Sequence, residues 1–572
     1  MSEKKNNGSA VINQFGGVDR TSRYDAPITA QRIENFRILN DGSLEKRCGY
    51  RHLCHLGAPV RALYSCHINQ EFILFALIGC YVYKISAEGS ISSKIGQVGT
   101  AEGNACFFFF RERLYLLDGE KIYEYREEGF STVLGYVPLI ANGWKTSRVG
   151  EIYEPRNLLN RHGRATYNID TSSIYLALDA PIESVEAVYI NAARMPEQMY
   201  KIDEYFTAID VYELKPGDRV DVYFTYKEGF DELLRRLCSS TSSALFGGIG
   251  RNRIFLCGCN ESGTVFSSKN VSALDVIAAQ KHYPESGELY FPVGYEFEAG
   301  DGMAEVQTML RFYDRLVIFT EADVWMVTPD DEGSDFASTT SVNARIGCPS
   351  PKGAALSENA PVSVGCRSVF TWRSGGDGRL DAENISAPID GELDEEFLSG
   401  CGIYYDVSKN ELWIYNSRRS VIWIYNTVRG AWYSFTGICA DHIFDLNGSV
   451  AFVRDGELYV FDKDCGADIE ADGKRRSIPA IYTSNPYSFG SEKMKNLRSV
   501  TVGAELLGEE LKLCFSPSTH RTSELTLFPS DSDGAAPITE RHALERFRCA
   551  SVSIISDGRA RQKIHSLALD VR

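Results

Sequence analysis

No apolar run in this sequence is long enough to span a bilayer. The longest, FILFALIGCYVY at 72–83, falls short of the ~20 residues a transmembrane helix needs. The opening MSEKKNNGSA lacks the apolar core of a secretory signal, so the expectation is a soluble chain made in a cytoplasm. Absent too are the GxxxxGK(S/T), GxSxG, HExxH and paired CxxC motifs, which removes the commonest short signatures of nucleotide, esterase and zinc chemistry. The 15 cysteines are an odd number, scattered singly through apolar segments. Reduced, buried thiols fit that usage better than a disulfide framework. A formal net charge of −17 sets the surface as a whole against DNA and anionic membranes, while leaving room for a local basic patch.

What is present is strand material. Thirty Tyr and thirty Phe lift the aromatic share to 12%, and flat, stiff side chains favour pleated surfaces. The length of 572 residues suits several domains, or one large all-β body with additions. Hairpins recur: RERLYLLDGEKIYEY (111–125) and VRDGELYVFD (453–462) each run an apolar strand through Asp-Gly into a second strand, a dipeptide suited to tight type I′ turns. Related patterns start near 58, 104, 240, 303, 347, 400 and 438. Outside one long gap they are spaced as four-stranded propeller blades are, giving about seven blades with six as the alternative. The last unit, 440–462, is one strand short. SLEKRCGYRHL (43–53) is placed to complete it, because an open blade edge is an aggregation liability.

Two segments break the rhythm. Residues 172–229, with alternating strands and a KPGD turn, read as a small β-sandwich inserted in a propeller loop. After Lys474, RSVTVGAELL, ELKLCFSPS, ASVSIISDG and KIHSLALDV read as a C-terminal β-sandwich. The division expected is an N-terminal arm and closing strand (1–57), a first propeller part (58–149), the inserted module (150–232), a second propeller part (233–470) and the terminal sandwich (471–572). The helices expected are few, with TAQRIENFRI (29–38) and FDELLRRL (230–237) the best candidates.

Candidate chemistry is sparse. RCGYRHLCH (47–55) gathers Cys48, His52, Cys54 and His55, but no CxxC or HxxxH partner stands nearby, as zinc would require. As part of a strand it places Cys48, His52 and Cys54 on one face and His55 on the other, which argues against a metal. Cys257 and Cys259 in FLCGCN share a strand face and read as structural thiols. The acidic stretch GGDGRLDAENISAPIDGELDEEF (375–397) carries Asp377, Asp381, Glu383, Asp390, Glu392, Asp394, Glu395 and Glu396. It offers neither facing carboxylates for glycoside hydrolysis nor enough oxygens for calcium, and reads as a solvated hairpin tip and loop. The basic run GKRRS (473–477) could contact phosphate, or serve as an exposed linker. No catalytic residue, cofactor or metal is assigned.

The segment NQFGGVDRTSRYDAPITAQRIENFRILNDGSLEKRCGY (13–50) resembles the start of β-propeller proteins of bacteriophage tails, the nozzle or hub family of tail tubular protein B and packaged-DNA stabilisation proteins. The likeness rests on Gly16, Gly17, Asp19, Glu34, Asn35, Asp41, Gly42, Leu44, Lys46, Arg47, Gly49 and Tyr50. GRNRIFLCGCNESGTVFSSKN, ELYFPVGYEFEAGDG, MLRFYDRLVIFTEADVWMV and IGCPSPKGAALSENAPV are similar to that family's middle blades in order, and YSFGSEKMKNLRSVTV to the start of its terminal sandwich. The resemblance implies a non-enzymatic virion protein that assembles with itself into a ring, usually six copies, below the portal and adaptor. Such a ring continues the DNA channel, retains the packaged genome and contacts tail fibres or spikes. Its partners are then adaptor or tail tube proteins and phage DNA, and its place is the virion tail. A distal baseplate or fibre-attachment protein of a long-tailed phage is the near alternative. From another class come a propeller glycan hydrolase or lyase, tested at Asp381 or Glu383, and a cellular interaction propeller, disfavoured by the lack of WD-type repeats. The long polar stretch 330–345 is the candidate for a DNA gate.

Overall fold

The structure, a computed structural model, describes the chain outside residues 1–7, 22–28, 69, 127–128, 147–149, 248–251, 260–262, 301, 329–337, 359, 376–379, 490–492, 518–521, 529–537 and 572. Among the described residues the protein is a β-propeller of seven blades with two β-sandwiches. Each blade is a four-stranded antiparallel meander, and the first strands are Val60–Ile68, Cys106–Phe110, Ser242–Phe246, Val306–Phe312, Ala354–Ser357, Cys401–Asp406 and His442–Leu446. These first strands lie against one another in sequence order. The ring closes where His442 Nε2 donates to the Val60 carbonyl, 3.2 Å away.

Turn chemistry explains much of this. Asp455 and Gly456 have φ of 51° and 74°, and Asn447 and Gly448 of 52° and 85°, the paired positive values of a type I′ hairpin. The Asp118-Gly119 turn differs, since only its glycine has positive φ. There the fully buried Asp118 carboxylate accepts from the Glu120 and Lys121 amides at 3.0 and 2.8 Å. Blade 7 lacks a fourth strand of its own. Tyr50–His55 supplies it, antiparallel to Glu457–Phe461, and the sheet then extends through Ala467–Ile469 and Arg475–Ser477.

The inserted module follows blade 2. One sheet runs Leu139–Lys145, His162–Asn168, Arg219–Tyr226, Ile182–Ile190, Ala193–Arg194, and the other Tyr175–Ala177, Ala208–Val211, Tyr200–Ile202. Val188, Ile209, Val220, Val222 and Phe224 are fully buried in its core.

The C-terminal sandwich is built from both ends of the chain. One sheet combines Phe36–Ile38, Leu44–Lys46, Lys563–Val571, Lys495–Glu505 and Ile538–Phe547, with Gly8–Ile12 beside Lys563–Val571. The other continues from the outer strand of blade 6, Ala431–Thr436, through Ala30–Glu34 to Ala480–Ser484, Ala550–Ser556, Leu511–Pro517 and Ser523–Leu527. Propeller and sandwich therefore share one continuous nine-stranded sheet.

The helix expected over 29–38 is instead the strand pair Ala30–Glu34 and Phe36–Ile38. Ala30–Glu34 bridges two strand edges there, pairing parallel to blade 6 and antiparallel to Ala480–Ser484. Tertiary pairing overrides the local propensity, and Asn35 at φ 56° breaks the run between the two strands. The helix expected at 230–237 is present as Asp231–Cys238, with Ala273–Gln280 and Glu395–Ser399 also helical. Among the described residues no helix is long and apolar enough to cross a membrane.

Candidate functional site: the propeller–sandwich junction

The residues that carry the resemblance converge where blade 6, blade 7 and the terminal sandwich meet. Glycine is required at two of them by close approach. A Cβ on Gly17 would stand 2.4 Å from the Trp432 amide nitrogen, and one on Gly49 would stand 2.0 Å from the Ala467 carbonyl oxygen. Neither distance is compatible with a side chain unless backbone moves. Gly16 is half-buried beside Gly17. Val18 donates to the Trp432 carbonyl at 2.8 Å, which seats the segment on the outer edge of blade 6.

Asn35 is the centre of the polar network. Its left-handed backbone suits asparagine better than a branched residue. Its amide donates to Thr436 Oγ1 and the Pro479 carbonyl, both at 2.8 Å. Its Oδ1 accepts from Arg47 Nε at 2.8 Å and the Thr436 amide at 3.0 Å. Arg47 in turn forms a two-pronged pair with Asp468 at 2.8 and 2.7 Å, with the Arg47 side chain 1% exposed. Such planar, charge-assisted pairing is the strong form of a hydrogen bond. Tyr50 donates to Glu470 at 2.9 Å, and its ring meets Phe452 edge-on at 5.1 Å.

Four further signature residues fix the hairpin that enters the sandwich. Asp41 accepts from the Ser43 hydroxyl at 2.5 Å and the Ser43 amide at 2.9 Å, which hold its carboxyl down at about 2. Gly42 turns the chain at φ 83° and Leu44 is fully buried. Lys46 is buried too, and its ammonium donates to Ser556 Oγ at 3.2 Å and to the Gly558 carbonyl. Burial pushes this ammonium down to about 8, with Glu509 and Asp557 opposing the shift. Asp19 accepts from the Thr21 amide and hydroxyl at 2.9 and 2.7 Å, and Glu34 pairs with Arg32 at 2.6 Å.

The histidines of the Cys–His cluster gather on one carboxylate. The pairing of Tyr50–His55 with Glu457–Phe461 shifts register between Leu458 and Tyr459. This bulge corrects the expected alternation: His55 does not face away but joins His52 on one carboxylate. His52 Nε2 and His55 Nδ1 lie 2.7 and 2.6 Å from the two oxygens of Glu457. Burial alone would raise the Glu457 carboxyl, but the bonds from His55 and His52 hold it below the usual range. Among the described residues no group of three or more His, Cys, Asp or Glu could hold a metal ion.

The other candidates lie apart. Cys257 and Cys259 are fully buried in blade 3, neither in a disulfide. Of the acidic stretch, Asp377 lies outside the described residues. Glu383 pairs with Arg373 at 3.2 Å, Asp394 caps the Glu395–Ser399 helix, and Arg419 reaches both Asp394 and Glu396 at 3.1 Å. In GKRRS, Arg475–Ser477 is an exposed edge strand beyond the closing strand of blade 7. The candidate gate at 330–345 is described only in its second half. Residues 338–343 form the outermost strand of blade 4, at its rim, and residues up to 337 lie outside the described ones.

Sequence reasoning missed Glu411. It is fully buried, 2.6 Å from Arg37 Nε, and it accepts from Trp413 Nε1 at 3.0 Å and the Tyr433 hydroxyl at 2.6 Å. A single carboxylate heading the apolar strand ELWIYN was the available signal.

No family model and no curated protein matches this chain. Among solved structures, a crystal structure of BBS1N in complex with ARL6DN is similar at 7% identity, covering 73% of this chain and 98% of that one, with a TM-score of 0.36. A putative gluconolactonase matches at 8% identity over 75% and 94%, with a TM-score of 0.29. The AfRom2 CNH domain matches at 8% over 72% and 99%, with a TM-score of 0.36. Likenesses at this level carry no argument about function.

Proposed function

We propose that this chain is a structural protein of a bacteriophage tail, of the nozzle or hub type. In this reading, copies form a ring below the portal and adaptor that continues the DNA channel, retains the packaged genome and contacts fibres or spikes. The observation that carries the reading is the ordered resemblance itself. Its opening block, 13–50, makes the junction at Asn35, Arg47 and Gly49, and its middle motifs fall in blades 3, 4 and 5.

The chemistry is compatible with conduction without adhesion. A net charge of −17 repels phosphate, so DNA can pass an acidic surface without being held. A propeller joined to a sandwich by a continuous sheet offers stiff faces for contacts in a closed ring. The role needs no turnover, and the wild-type protein assembles and acts as a body. Mass spectrometry of gradient-purified particles tests the proposal. A multi-copy virion component is expected in the particle fraction, and absence from particles overturns the reading.

A further inference from the structure

One cavity runs against the charge of the whole chain. It lies between blades 6 and 7 beneath the terminal sandwich, has a volume of about 490 Å³, and is lined by Arg37, Arg51, Lys409, Lys463 and Arg561, with Asp462 as the lining carboxylate. These five cations come from five separate segments: Phe36–Ile38, the closing strand Tyr50–His55, the first turn of blade 6, the chain after Glu457–Phe461, and the turn before Lys563–Val571.

Local carboxylates leave this set incompletely matched. Arg37, Lys409 and Arg561 each have one partner at 2.6 Å, respectively Glu411, Asp406 and Glu45, and Arg51 meets Asp462 at 3.2 Å. The exposed Lys463 ammonium has no acidic partner among the described residues, and Arg561 Nε is buried without a hydrogen-bond partner. Four of the five cations are offset by these carboxylates, so what an anion would meet is the one excess charge at Lys463, the open Arg561 Nε–H and the outer N–H groups of the paired guanidiniums. Guanidinium forks match tetrahedral oxyanions, and flexible ammonium groups add point charge around them. The volume falls within the range of small-molecule sites.

We propose that this cavity is a phosphoanion site, which takes a diphosphate group and uses it to brace the terminal sandwich against blades 6 and 7. The group has two sources of one chemistry, free pyrophosphate or the diphosphate of a nucleotide. The inference does not rest on the phage-tail proposal.

The test is calorimetric titration of the full chain with pyrophosphate and, separately, ADP, at ionic strength held constant with chloride. Saturable one-to-one binding is expected, together with a raised melting temperature, because a ligand that binds only the folded state stabilises it. Lys463→Gln and Arg51→Gln are both exposed and lie outside the buried network. Each is expected to weaken binding about tenfold, as loss of a charge-assisted contact does. Lys474→Gln, a basic change outside the cavity, is expected to bind as wild type does. Tighter binding of ADP than of pyrophosphate supports the site and assigns it to nucleotides, and equal binding supports it with the free anion as ligand. No saturable binding below millimolar concentration, or binding unchanged in the Lys463→Gln, Arg51→Gln double variant, overturns the proposal.

Discussion

Replacing Asp468 by Ala isolates the junction from the rest of the fold. The Arg47 side chain is 1% exposed and keeps its positive charge, so the variant strands a buried guanidinium. Removing one partner of a buried pair costs about 3–5 kcal/mol. Arg47 retains Asn35 Oδ1 at 2.8 Å and the Cys48 carbonyl at 3.1 Å as acceptors, which places the expected loss near the lower end, about 3 kcal/mol. A domain's whole stability is about 5–15 kcal/mol, so the effect is large. The assay is urea unfolding followed by tryptophan fluorescence, which reports on Trp432 at the Gly17 contact and on Trp413 in blade 6. At a slope of about 3 kcal/mol/M the midpoint falls by about 1 M. The apolar double variant Arg47→Met, Asp468→Leu is expected to regain part of the loss, because no charge is left unpaired. A loss below about 1 kcal/mol for Asp468→Ala, the range of an exposed ion pair, would refute the claim that this network ties propeller to sandwich.

Other outcomes follow from the same geometry. Gly49→Ala forces a Cβ to 2.0 Å from the Ala467 carbonyl, and overpacking of this kind costs about 1–3 kcal/mol; the expected readout is faster proteolysis of the closing strand. Lys46 sits at about 8 when folded against an ordinary 10.5. The unfolded chain therefore binds more protons between these values, and stability rises with pH from about 8 to 10.5; that rise is expected to vanish in Lys46→Met when melting is measured across the window. Burial alone would raise Glu186, but donation from His162 at 2.9 Å and Thr225 at 2.6 Å holds it at about 2. This depressed carboxylate contributes stability above its ordinary value of 4.5 that is lost as pH falls toward 2. Glu186→Gln is expected to flatten that acid limb, read by circular dichroism.

What the sequence made legible was mostly local. The Asp455-Gly456 hairpin and the missing fourth strand of blade 7 are both visible as pattern, and the structure places Tyr50–His55 in that gap. Features that depend on partners far along the chain were not legible. Ala30–Glu34 reads as helical until Ser434 and Tyr482 are known to flank it. A one-residue bulge, invisible to alternation, brings His52 and His55 to the same carboxylate. The close approaches at Gly17 and Gly49 have partners more than four hundred residues away, so the sequence showed glycine without showing why. The cations of the junction cavity, spread from Arg37 to Arg561, have no common motif and become a cluster only when both chain ends fold into one sandwich.

The most direct test of the phage-tail account is immunogold electron microscopy of a phage lysate with antibody raised against this chain. Label beneath the head on a short tail is the expected result. Label at the tip of a long tail would move the protein to a baseplate, and label confined to the soluble fraction would contradict the account.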